Sequence, residues 1–141
     1  MTGYNHTLAG VALATLLPPP LALPAAFVSH FVMDALPHFG RDPMFAPWTR
    51  GFKNLLAADG LICLTIIAWA ILQGWQPVWF LAAAAAMATL PDFLWLSKGR
   101  FSPLDGFLSF HGRIQSGERP DGWIFEFTFS MAVILYLAGL Q

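Results

Sequence analysis

Charge is what this 141-residue sequence has least of. Lys, Arg, Asp and Glu make up 11% of it, against about 25% in soluble domains. The net charge of −1 offers nothing to a polyanion, which argues against nucleic acid as a partner. A single cysteine, Cys63, excludes an internal disulfide and reads as a small packing residue. No CxxCH and no glycine-rich phosphate loop occurs, so covalent haem and a nucleotide cradle have no motif to rest on. No Lys or Arg precedes Arg41, so the start lacks the basic leader of a secretory signal. What is abundant is apolar: 57% hydrophobic residues and a mean hydropathy of +0.60. The chain reads as one membrane-embedded, all-α domain over residues 1–141.

Five apolar segments follow one another, at 6–17, 21–38, 55–73, 77–97 and 121–140. The triple proline 18–20 divides the first two, because proline breaks a helix interior. A membrane crossing needs roughly 20 residues, so the last three qualify and the first two are expected as a short hairpin packed against them. The alanine run 82–86 suits close helix packing in lipid. All basic residues fall in two stretches: Arg41, Arg50 and Lys53, then Lys98, Arg100, Arg113 and Arg119. With five crossings, both stretches lie on the side of the N-terminus. The positive-inside rule makes that side the cytoplasmic face of an inner membrane.

The polar residues of the apolar segments gather at that same face. His30, Asp34 and His38 recur every four residues, so on a helix they fall in a stripe about 80° wide. His6 opens the first segment, Asp59 lies in the first turns of the third, Asp92 in the last turns of the fourth and Glu126 in the first turns of the fifth. His111 belongs to the segment between the fourth and the fifth. Asp121 reads as a helix-start residue and stays outside the group. Ionisable groups are unfavourable in a bilayer, and several carboxylates at one place repel each other. A divalent cation resolves both problems. Imidazole with carboxylate suits zinc, manganese or iron, and the number of candidates leaves room for one or two ions.

Two fragments, "SHFVMDALPH" and "TLPDFLWL", resemble the small inner-membrane proteins known as membrane-bound metal-dependent hydrolases. That family is itself remotely similar to zinc-dependent phospholipase C and the P1-type nucleases. His30 and Asp34 match its SHxxxD, Asp92 its LPD and His6 its N-terminal histidine, although here the SHxxxD precedes the LPD. The resemblance implies metal-dependent hydrolysis.

The expected metal ligands are His30, Asp34, His38, Asp92 and His111, with His6 and Asp59 completing a second site or supporting the first. Asp59 or Glu126 is the expected general base. Arg113 and Arg41 are placed to bind an anionic headgroup, though the positive-inside bias explains them equally well. The expected substrate is a phosphoester or a lipid-linked group. Two non-enzymatic alternatives use the same cluster: a metal or proton carrier, and a small subunit of a larger membrane complex.

Overall fold

In the computed structural model residues 1–40, 48–95, 97 and 99–140 are described. Arg41 and Lys98, two of the expected basic residues, lie outside them. The fold is all-α, with six helices among the described residues. These are α1 (Gly3–Leu16), α2 (Pro19–Asp34), α3 (Arg50–Leu72), α4 (Val78–Trp95), α5 (Asp105–Ile114) and α6 (Trp123–Ala138). Two short strands, β1 (His38–Phe39) and β2 (Glu118–Arg119), pair in parallel, His38 opposite Glu118.

The prolines cut the first two helices where chain chemistry requires. Leu17 and Pro18 are extended, and Pro19 and Pro20 occupy the first positions of α2, where a missing N–H leaves no ladder bond unmade. Two connecting residues fold α2 back on α1, the expected hairpin. α2 stops at Asp34, four residues before the expected end. Pro37 disfavours helical backbone at Leu36, so His38 leaves the helix and enters β1. The three-residue stripe is thereby corrected to two residues, His30 and Asp34. α3 begins five residues earlier than expected because Thr49 caps it, its hydroxyl accepting the Phe52 N–H at 3.1 Å.

α4 packs against both α1 and α2, and α1 also touches α3 and α6. The apolar core lies in the half of the bundle near the α1–α2 and α3–α4 turns. Leu8, Val11, Ala14, Ala22, Ile66, Ala70, Phe80, Leu81, Ala84 and Leu137 meet there. Small side chains let the backbones approach closely. A Cβ on Gly10 would stand 2.7 Å from the Ala84 carbonyl oxygen, which belongs to a helix backbone and cannot yield. Gly10→Val is therefore expected to destabilise the fold by about 1–3 kcal/mol, as overpacking does. Thermal unfolding in detergent beside Gly60→Val, at a site with open space around it, checks this. Equal midpoints for the two variants would contradict the close α1–α4 contact.

Two helices, α3 and α4, are long and apolar enough to cross a membrane. At a 1.5 Å rise they span about 35 and 27 Å, whereas α2 and α6 span about 24 Å each and α1 about 21 Å. Five full crossings are thus not given by helix length. α3 buries only Ile66 and Ala70 and turns Leu56, Leu61, Ile62, Leu64 and Leu72 outward. α6 likewise exposes Ile124, Phe125, Phe127 and Leu135. Apolar surface on this scale marks contact with a membrane or a partner protein.

Candidate metal centre

The start of α1 carries no cap of its own, since Thr2 makes no side-chain cap bond. Its free N–H groups are taken instead by carboxylates from distant helices. Asp59 of α3 accepts from Gly3 N and Tyr4 N, both at 2.9 Å. Glu126 of α6, buried, accepts from Thr2 N at 3.2 Å, from the Thr2 hydroxyl, from Asn5 Nδ2 at 3.0 Å and from Phe39 N at 3.0 Å. One carboxylate therefore ties α1, α6 and β1 together. Neither acid belongs to the group of ligands described next.

With α1 so held, His6 faces α2 across its first turns. Its ring stacks on that of His30, centroids 4.0 Å apart and planes 22° from parallel. His30 and Asp34 come from successive turns of α2, Asp92 from the end of α4 and His111 from α5. One ligand atom of each of these four lies within 4.8 Å of every other, a group that can hold a metal ion. His30, Asp34 and His111 are fully buried, and the Asp92 side chain is 37% exposed, so the group opens at Asp92.

Separations within the group match a coordination shell. His30 Nε2 is 3.0 Å from His111 Nε2, 3.2 Å from Asp34 Oδ2 and 3.6 Å from Asp92 Oδ1. His111 Nε2 is 3.1 Å from Asp34 Oδ2 and 3.7 Å from Asp92 Oδ1. Four ligands on a tetrahedral zinc ion, at its usual bond lengths to nitrogen and oxygen, stand about 3.3–3.6 Å apart. The observed edges bracket that range.

Proton placement points the same way. His30 Nδ1 lies 2.8 Å from the Ala88 carbonyl, which only accepts, so Nδ1 carries a proton and donates it. In a neutral ring the lone pair then sits on Nε2 and faces the Asp34 carboxylate. That contact is repulsive until a cation lies between the two. A second proton on His30 would relieve it as well. Histidine held through one nitrogen by a carbonyl, its other nitrogen turned to carboxylates, is the usual dress of a metal ligand.

His6 stands beside this group. Its Nε2 is 3.1 Å from Asp34 Oδ1 and 4.0 Å from Asp92 Oδ2. Each carboxylate thus turns one oxygen to His6 and the other to the His30–His111 pair. The Met1 amine also reaches Asp34 Oδ1, at 2.5 Å. His38 is buried but stands outside the group of four. Its Nδ1 donates to the Leu36 carbonyl at 2.8 Å, and its Nε2 has no hydrogen-bond partner among the described residues. The Nδ1 atoms of His6 and His111 are likewise without a partner there.

α5 is a helix that the apolar pattern does not announce. Phe107 stacks on Phe27 and meets Phe31 edge-on, and Phe110 also reaches Phe31. Phe31 in turn stands edge-on to both His30 and His111, an apolar wall that keeps water from the imidazoles. One turn beyond His111, the Gln115 amide lies 3.5 Å from Asp34 Oδ2 and 3.4 Å from His111 Nε2. Gln115 is absent from the expected site, yet its i+4 spacing from His111 becomes visible once α5 is known to be helical. Arg113, between them in sequence, is exposed. Asp121 does not cap α6. Its carboxylate takes two hydrogen bonds from Arg119, at 2.6 and 2.7 Å, and that guanidinium holds its pKa below the ordinary value. Comparison of the chain with protein-family models, with curated proteins and with solved structures gives no match.

Proposed function

We propose that this protein is a membrane-embedded, metal-dependent hydrolase whose His/Asp centre faces the cytoplasmic interface of an inner membrane. The observation that carries the metal is the His30 ring, locked by Ala88 so that its Nε2 lone pair joins Asp34, Asp92 and His111 at coordination spacing. Zinc is the ion this donor set suits best, with manganese or iron as substitutes. His6, addressing the far oxygens of Asp34 and Asp92, is the residue that would help hold a second ion. In this reading α3, α4 and α6 cross the bilayer, the α1–α2 hairpin packs among them and amphipathic α5 lies at the surface.

When bound, such an ion lowers the pKa of water and polarises the bond under attack. The chain's own residues orient and exclude. Phe31 shields the imidazoles, while the exposed edge of Asp92 leaves the approach for a phosphoester or lipid-linked group. Arg113, exposed in the last turn of α5, would meet an anionic headgroup. Asp59 and Glu126 have their oxygens engaged by the start of α1, so we assign them to holding α1 rather than to proton transfer. The hydrolase reading is favoured over a carrier by the opposite half of the bundle. It is packed with apolar side chains and offers no second ligand cluster among the described residues.

The test is turnover by zinc-loaded protein in mixed micelles, with a phospholipid, a lipid diphosphate and a soluble aryl phosphodiester as substrates. Metal-dependent release of product, lost in Asp34→Asn, is expected for at least one of them. Rates equal to those of Asp34→Asn for all three would sink the hydrolase reading.

A further inference from the structure

Asp34 Oδ2 is the most crowded acceptor in the centre. Two imidazole nitrogens and one amide nitrogen surround it: His30 Nε2, His111 Nε2 and Gln115 Nε2, at 3.2, 3.1 and 3.5 Å. These three do not persist equally when an ion binds. An imidazole that gives its Nε2 lone pair to a metal carries its proton on Nδ1, on the far side of the ring. For His30 that is the side held by the Ala88 carbonyl. No ring proton then points at Oδ2. Among the described residues, the donor that remains within reach of this oxygen is the Gln115 amide. A carboxylate oxygen has two lone pairs, so it can serve the ion with one and Gln115 with the other.

We propose that Gln115 is the positioning residue of the metal centre, its side-chain N–H holding Asp34 Oδ2 in the ligating orientation once the histidines have turned their lone pairs to the ion. The proposal rests on the metal-centre reading above and adds to it a fifth side chain that is not a ligand. α5 would then deliver the ligand at His111, and the residue just past its last turn the support at Gln115. Support of a ligating carboxylate by such a hydrogen bond changes metal affinity by about 10–100-fold.

Gln115→Met keeps the length and bulk of the side chain and removes the N–H. The probe is Co2+ alone, added to metal-free protein in detergent. Affinity is read by competition with a chelating dye, the ligand field by the visible absorption of the bound ion, and the fold by the thermal midpoint without metal. The expected result is Co2+ affinity weaker by about 10–100-fold and an altered visible spectrum, with the metal-free midpoint unchanged. Gln115→Asn, which retains the donor on a shorter arm, should fall between the two.

Wild-type affinity and spectrum in Gln115→Met would overturn the proposal. So would a lowered metal-free midpoint with unchanged affinity, since that is what a merely structural residue gives. If Gln115→Met does not fold, Gln115→Ala answers the same question by the same readouts. Failure of the wild-type protein itself to take up Co2+ would overturn the metal centre as well, and that arm is read before any variant.

Discussion

Chelation lowers the thermal midpoint of the wild-type protein and leaves that of Asp34→Asn where it was: this is the expected result with the largest reach. An ion bound to the folded state alone stabilises it by about 2.7 kcal/mol when free metal is a hundredfold above the dissociation constant. For a chain of this size that is worth about 5–10 °C. Asp34 is the member whose loss should matter most, because its two oxygens address His30 and His111 on one side and His6 on the other. Asparagine keeps its shape and removes the charge that makes it a ligand. A chelator shift of the same size in Asp34→Asn would place the bound ion somewhere else.

Glu126→Leu is expected to destabilise the fold by about 3 kcal/mol or more. The carboxylate is buried and receives Thr2, Asn5 and Phe39 together. Each hydrogen bond to a charged acceptor contributes about 1.5–3 kcal/mol, and buried donors left without a partner add a further penalty. The damage should also travel to the metal centre, because Asn5 and Thr2 set the turn of α1 that carries His6. Glu126→Leu is accordingly expected to hold metal less tightly, although Glu126 touches no ligand atom. Unfolding by a denaturing detergent at fixed lipid, with metal affinity measured alongside, checks both parts. A loss below about 1 kcal/mol would mean that the contacts of Glu126 are not what fastens α1.

Much of the candidate metal centre is legible in the sequence, and for a physical reason. Charged groups are so unfavourable among apolar helices that Asp34, Asp92, His30 and His111 stand out by their mere presence, and the distribution of Arg and Lys sets them at one end. His38 is where that logic fails. Helical periodicity carries the stripe one step too far, and Pro37, three residues past Asp34, ends it. α5 escapes notice because its ten residues, amphipathic and interrupted by Gly106 and Gly112, are too short and too polar to stand out as an apolar segment, and with it goes Gln115. Asp59 and Glu126 are visible as acids but not as fasteners. Their partners are backbone N–H groups at the far end of the chain, and no residue type announces a bare helix start that another helix will cap. Helix count and membrane fit divide similarly. Composition finds the long, apolar α3 and α4, whereas the short α1, α2 and α6 are understood only by seeing what they pack against.

Elemental analysis of the detergent-purified protein, beside a His30→Ala/Asp34→Ala variant prepared in the same way, tests the metal centre most directly. At least one equivalent of zinc, manganese or iron per wild-type chain, and none retained by the variant, is the predicted result. Less than one equivalent in the wild type, or the same content in both, would contradict it.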